Sequence, residues 1–220
     1  MIRIGQYLKK TRTQGIIYKP FDSTHLEMDV HVDSDFLGIY GKELRTDPDN
    51  VKSRMGYVIS LNSCPIIWAS KLMEQIALST MMAEYYALSQ AMREVLPFRD
   101  LIRVVSNGIG IDEACATEFK TTIWEDNNGC LHLANMDPGQ YTSRSRHYDC
   151  RVHWFRSHLK DSVSDDVKSD PSRPSGPMTV ERIDTKAQLA DIFTKPLDPS
   201  TFKFLRQKLM VWNDCDLLKN

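Results

Sequence analysis

Polar and apolar residues alternate from Leu26 to Asp33: Leu26, Met28, Val30 and Val32 are apolar, and Glu27, Asp29, His31 and Asp33 between them are polar. A period of two belongs to a β-strand with one face on a core, so the pattern predicts a strand whose polar face carries Asp33 near its end. GYVISL (56–61) and PIIWAS (65–70) are two β-rich runs separated by Asn62, Ser63 and Cys64. They predict a hairpin, with Pro65 tolerated as a strand's first residue. The period then changes. Met81, Tyr85, Leu88, Met92 and Val95 recur at helical spacing, which predicts a helix over 79–96 capped by Ser79 or Thr80. TTIWED (121–126) reads as another strand, and Asn127-Asn128-Gly129 leads into a short helix ending near Asn135, before Asp137-Pro138-Gly139.

A longer helix is expected from about Arg144 to Lys160, followed by SVSDDVKSDPSRPSGP (162–177), which has almost no apolar residue and reads as a flexible loop. MTVERID (178–184) returns to alternation as a strand. TKAQLADIFTK (185–195) reads as a helix with Leu189, Ile192 and Phe193 on one side, ended by Pro196, and a last amphipathic segment runs from Ser200 to Trp212. Strands first, then strands alternating with helices, argue a mixed sheet with helices packed on it, in the α/β or α+β class.

The 220 residues are 41% apolar and 26% charged, which excludes global disorder and suffices for one core. No run approaches the roughly 18 apolar residues of a membrane span, and MIRIGQYLKKTRTQG lacks the features of a secretory leader, so an intracellular chain is expected. Cys64, Cys115, Cys130, Cys150 and Cys215 form no CxxC pair, and reduced, mostly buried thiols are expected. Lys plus Arg is 28 against 29 for Asp plus Glu, a net charge of −1, so no single field covers the molecule and a polyanion would have to be held locally. Charge is nevertheless segregated. Residues 1–20 carry Arg3, Lys9, Lys10, Arg12 and Lys19 and no acid, 22–50 are mostly acidic, and 141–160 hold Arg144, Arg146, Arg151, Arg156 and Lys160. His147, His153 and His158 are six and five residues apart, not the four that would put two imidazoles on one helical face, so they read as structural or phosphate-near groups and not as zinc ligands.

Four acids stand where the predicted elements end or turn: Asp33 at a strand end, Glu84 on the long helix, Asp126 at a strand-to-helix junction and Asp191 on a late helix. Carboxylates brought together at one sheet edge repel one another unless a hard cation neutralises them, which is magnesium chemistry. A chain with 29 acids offers many such quartets, and spacing does not prove convergence. Glu84 is the most telling of the four. It lies three residues after Met81 and four before Leu88, at the margin of the apolar stripe, where a lone carboxylate would be costly.

Seven ordered blocks resemble the ribonuclease H domain at the C-terminal end of Ty1/copia-type retrotransposon polyproteins. They are VDSDF (32–36), KSRMGYVI (52–59), IIWASK (66–71), IALSTMMAEYYALSQAMRE (76–94), IWEDNNGCLHLAN (123–135), SRHYDCRVHWFRSHL (145–159) and DTKAQLADIFTKPL (184–197). RIGQYLKKTRTQGIIY (3–18) resembles the segment joining reverse transcriptase to that domain, so the likeness covers about residues 3–210. The resemblance implies an α/β, ribonuclease H-like mixed sheet with helices packed on it. It also implies a D-E-D-D set of metal-binding, catalytic acids at Asp33, Glu84, Asp126 and Asp191. By that likeness Asp33 bridges two Mg²⁺ ions, with Mn²⁺ as a substitute; Asp191 serves the ion that activates water, and Glu84 and Asp126 serve the other. The implied substrate is an RNA/DNA hybrid, cut in its RNA strand to leave a 3′-hydroxyl and a 5′-phosphate. Arg144, Arg146, Arg151 and Arg156 are the candidates for backbone contact, against the plainer reading of a solvated helix face. Asn127 and Asn128, directly after Asp126, are read as caps of the following helix, with contact to substrate as the alternative.

Several features depart from the family's pattern: Met82 replaces a frequent glutamate, Phe36 a frequent tryptophan, and 162–177 is long for its place. No YxDD polymerase motif, Walker loop or zinc-binding integrase pattern occurs, so the sequence reads as a C-terminal piece of such a polyprotein. Expected divisions are 1–25 as a connector from the reverse transcriptase, 26–197 as the nuclease-like domain and 198–220 as a helical tail. A cytoplasmic retroelement particle is the compartment the resemblance implies. The competing expectation is a remnant or nucleic-acid-binding module that keeps the fold without the activity.

Overall fold

The alternating segment becomes β1 (Glu27–Asp35), the central strand of the sheet. On one side β2 (Arg54–Leu61) pairs with it antiparallel and β3 (Cys64–Leu72) pairs antiparallel with β2; on the other, β4 (Lys120–Glu125) runs parallel to β1 and β5 (Met178–Arg182) parallel to β4. The order is therefore β3-β2-β1-β4-β5. The computed structural model describes residues 2–18, 26–38, 40, 46–109, 120–143, 145, 148, 152–159 and 178–212.

A two-residue turn fixes the hairpin register. Asn62 and Ser63 have φ of 48° and 65°, the left-handed pair that a type I′ turn needs to match strand twist. Asn62 also locks the neighbouring strand, since its Oδ1 accepts from the Glu27 N–H at 2.8 Å and its own N–H donates to Glu27 O at 2.8 Å.

The long helix α2 (Thr80–Gly108) starts where expected: Ser79 Oγ accepts from the Met82 N–H at 3.1 Å. It continues past Pro97 instead of ending near Leu96. Pro97 lies on the exposed face, as does Arg93, so the N–H that proline lacks is missing on the solvent side of the helix. Ala83, Tyr85, Leu88, Met92 and Val95 face the core, against Val30, Val32, Tyr57, Ile59 and Ile123.

The second face of β1 is also covered, contrary to the one-sided strand that its alternation predicts. His31 and Asp33 are 8% and 1% exposed. The cover is the segment read as a helix over 185–195, which is instead a 3-10 turn (Thr185–Ala187) and one turn of α-helix, α4 (Asp191–Thr194), broken at Gln188. Gln188 explains the break. Its side chain turns into the sheet, where Nε2 donates to Val32 O at 2.9 Å and Trp124 O at 3.2 Å while Oε1 meets His31 Nδ1 at 3.1 Å. α4 approaches so closely at Gly56 that a Cβ there would stand 2.6 Å from Phe193 Cβ and 2.8 Å from Thr194 Cγ2.

The helix expected over 144–160 is, among the described residues, only the 3-10 segment Trp154–His158. Side chains there serve α2: Tyr85 Oη lies 3.0 Å from His153 Nδ1, and Trp154 Nε1 donates to Ser89 Oγ at 3.1 Å. The 162–177 loop lies outside the described residues. At the ends of the chain, α1 (Ile2–Lys10) packs on α5 (Pro199–Leu209), with Tyr7 and Phe202 ring centroids 6.0 Å apart and Arg206 Nη1 donating to Tyr7 Oη at 2.9 Å. Trp212 Nε1 donates to Gly15 O at 2.7 Å, so the expected connector and tail lean on each other. Among the described residues no helix is long and apolar enough to cross a membrane.

Candidate metal centre

β1 and β4 are neighbours and parallel, so their carboxyl ends open at one edge of the sheet, which is where such sheets build sites. Asp33 lies two residues before the end of β1, and Asp126 follows the last residue of β4. Glu84 comes to the same point from the first turns of α2. One oxygen from each of Asp33, Glu84 and Asp126 can be chosen so that all lie within 4.8 Å of one another. Asp191 is the first residue of α4 and reaches the cluster from the other face of the sheet. Between it and Asp33 stands a residue that the sequence reading did not single out: Lys195 Nζ is 2.9 Å from Asp191 Oδ1 and 3.4 Å from Asp33 Oδ1. Thr194 Oγ1 donates to Asp33 Oδ2.

Burial governs the electrostatics. It raises the Glu84 carboxyl well above its ordinary range, and the nearby Glu125, Asp33 and Asp126 carboxylates push it the same way. Asp33 rises to about 7 for the same reason, although Lys195 and Thr194 pull it back. Asp191 is raised by burial too, against the pull of Lys195. Burial alone would lower the Lys195 ammonium, but Asp33 and Asp191 outweigh it and hold the group charged.

Glu125 is a fifth acid, also missed from sequence. It is fully buried, points to the α2 side of the sheet and rises to about 8, chiefly through burial; its Oε1 accepts from the Asn127 N–H at 3.0 Å. Asn127 in turn caps α3 (Asn128–Ala134), its Oδ1 accepting from the N–H groups of Gly129 at 2.9 Å and Cys130 at 3.1 Å. Glu84 Oε2 and Glu125 Oε2 are buried without a hydrogen-bond partner. Orphaned carboxylate oxygens beside a triple of converging carboxylates are what a hard divalent cation would satisfy, so the donor set fits magnesium or manganese.

Other expected site residues are placed differently. Arg156 is 1% exposed, and its Nη1 and Nη2 donate to Leu133 O at 3.2 Å and Gln140 O at 3.0 Å. Its guanidinium is spent on carbonyls at the end of α3 and in the following turn, which corrects its assignment as a backbone-contacting residue. Arg144, Arg146 and Arg151 lie outside the described residues. His153 is buried against Tyr85, and burial lowers it to about 4, a packed neutral imidazole. Cys64 and Cys130 are free and buried.

A three-stranded antiparallel unit running into a parallel pair, with helix α2 on one face and an acid cluster at the carboxyl ends of β1 and β4, defines a ribonuclease H-like domain. The chain is similar to retrovirus-related Pol polyproteins of plant transposons. The chain is 27% identical over 209 residues to the retrovirus-related Pol polyprotein from transposon RE1 of Arabidopsis thaliana, covering 95% of this chain and 12% of that protein. It is 25% identical over 170 residues to the Pol polyprotein from transposon TNT 1-94 of Nicotiana tabacum, covering 77% of this chain and 11% of that protein. The chain thus spans 11–12% of the length of these relatives. No protein-family model matches it. The N-terminal ribonuclease H domain of rv2228c from Mycobacterium tuberculosis overlays with a TM-score of 0.43 at 9% identity, covering 83% of this chain and 97% of that one; the overlay is loose, and the fold is defined by strand order and pairing.

Proposed function

We propose that the chain is a divalent-cation-dependent ribonuclease H that cuts the RNA strand of RNA/DNA hybrids. The observation that carries this reading is the convergence of Asp33, Glu84 and Asp126 within 4.8 Å, with Asp191 joined to Asp33 across Lys195. Asp33, Glu84 and Asp126 would hold one cation, and Asp33 with Asp191 a second. When bound, such ions lower the pKa of an attacking water and neutralise the leaving oxygen in an in-line displacement at phosphorus. The protein supplies the rest. Thr194 fixes the orientation of the Asp33 carboxylate through Oδ2, while Oδ1 faces Lys195. Gln188 holds the segment before α4 against Val32 and Trp124, which sets where Asp191 stands. Glu84 is 4% exposed, so water does not screen it, and a divalent ion held there would offset the cost of its charged form.

The hybrid is the substrate that the Pol homology supports, with an upstream reverse transcriptase as the covalent partner. A wide minor groove displaying 2′-hydroxyls lets such a site tell RNA from DNA with few base contacts. A module that merely binds nucleic acid would gain nothing from assembling uncompensated carboxylates beside a phosphate chain, and the cluster therefore favours chemistry. The test is a labelled RNA/DNA hybrid incubated with purified protein and Mg²⁺, beside Asp126→Asn. Cleavage by the native chain and at least about a 100-fold loss in the variant is expected, the scale of a lost transition-state contact. Equal rates, or no cleavage by either protein, would overturn it.

A further inference from the structure

The two halves of the acid cluster are not alike. Around Asp33, Glu84 and Asp126 the carboxylates converge on one another, and Glu84 Oε2 is buried with no partner. Between Asp33 and Asp191, by contrast, the space is bridged by the Lys195 ammonium at 3.4 and 2.9 Å. A cation entering the first half meets an unpartnered carboxylate oxygen of Glu84, whereas one entering the second must break both ion pairs of Lys195.

We propose that Lys195 is a resident counter-cation of the Asp33–Asp191 half: it stands where the second divalent ion would be held and swings toward solvent when that ion enters. The inference rests on the metal-centre reading above and adds to it an order of filling and a residue that controls it. The means to move are present. Lys195 is the residue at which α4 stops, its backbone is already extended (φ −136°, ψ 154°), and its side chain is 31% exposed at the rim while Asp33 and Asp191 are 2% and 7% exposed. A flexible four-carbon stem lets an ammonium leave without disturbing the helix, which a rigid guanidinium fork does less readily. Asp33 remains oriented during the exchange because Thr194 holds its other oxygen. The same charge that offsets Asp33 and Asp191 in the metal-free chain thus weakens the second ion, so that half fills late and empties easily.

The test needs no nucleic acid. Full-length native protein, Lys195→Met and Lys195→Arg are titrated calorimetrically with Mn²⁺, and each is melted in EDTA at pH 8. In Lys195→Met the weaker binding step should tighten at least about tenfold, or become detectable where the native chain shows only one, while the tighter step is unchanged. Its melting temperature in EDTA should fall, and Lys195→Arg, which keeps the charge on a stiffer fork, should keep the native melting temperature while its weaker binding step is no tighter than the native one. An unchanged or weaker second step in Lys195→Met, or an unchanged or higher melting temperature in EDTA, would overturn the proposal. Should the binding results stand while no hybrid is cut, the nuclease reading fails and the role of Lys195 survives.

Discussion

Asp33 is the residue on which both halves of the site depend, and it is nearly inaccessible, at 1% exposure, beside Glu84, Asp126 and Asp191. The cost of that placement has a definite sign with pH. Burial raises Asp33 to about 7 and Glu125 to about 8, above the roughly 4 of an unfolded carboxyl. Groups of this kind favour the folded chain fully below about pH 4 and lose that contribution as pH rises through 7 and 8. In EDTA, therefore, the melting temperature should drop between pH 5 and pH 8.5 by more than it does in saturating Mg²⁺. Glu84→Gln should remove part of the drop, gaining several degrees (about 4–8 °C per kcal/mol in a small domain, less in a chain of this length) at pH 8 in EDTA while losing stabilisation by Mg²⁺. Calorimetric melts of both proteins check this, and a pH-independent melting temperature in EDTA would contradict it. The four acids were singled out from sequence because each sits in a block with a recognisable neighbourhood, and the structure brings Asp33, Glu84 and Asp126 together. Sequence hid Lys195 and Glu125. One looks like an ordinary helix-end lysine, and the other is the last residue of β4, directly before the more conspicuous Asp126.

Elements position these residues by close approach. Gly56 pairs with Asp33 in the sheet and leaves room for α4 above it. Gly56→Val should push Phe193 and Thr194 outward and move Asp191 with them, lowering hybrid cleavage by about 100-fold, the effect of an ångström-scale misplacement of a catalytic group. Steady-state rates under saturating Mg²⁺ would show it, and near-native rates would argue that α4 does not set the site. Leu88, fully buried where α2 meets the sheet, should cost about 2–5 kcal/mol on truncation to Ala, read from urea unfolding. Strands and α2 were legible because their periods are long and uninterrupted. The two helices predicted over 144–160 and 185–195 were not, for a physical reason: their polar residues are drawn into tertiary hydrogen bonds. Gln188 reaches into the sheet, and Arg156 reaches carbonyls at Leu133 and Gln140. Local spacing carries no record of such partners. The polar face of β1 was misread likewise, since a half-buried strand and a strand covered by a polar network share one alternation.

At the scale of the molecule, a net charge of −1 conceals an acid centre and a basic N-terminal helix, in which Arg3, Lys9 and Lys10 are exposed. Phosphates and uncompensated carboxylates repel, so hybrid binding should itself depend on divalent cations and not only the chemical step. Electrophoretic mobility shifts should show tighter binding in Ca²⁺ than in EDTA at equal ionic strength, and equal affinity in the two would mean that the cluster is not where the backbone passes. The chemistry of the cut ends tests the central claim most directly. A cation-assisted attack by water leaves a 3′-hydroxyl and a 5′-phosphate on the RNA strand, whereas attack by the neighbouring 2′-hydroxyl leaves a 2′,3′-cyclic phosphate. Mass spectrometry of both strands after incubation of a hybrid with the protein and Mg²⁺ should find the first pair of ends on RNA alone, with the DNA strand whole and nothing cut in EDTA. Cyclic-phosphate ends, cutting that survives EDTA, or equal nicking of the DNA strand would contradict the account.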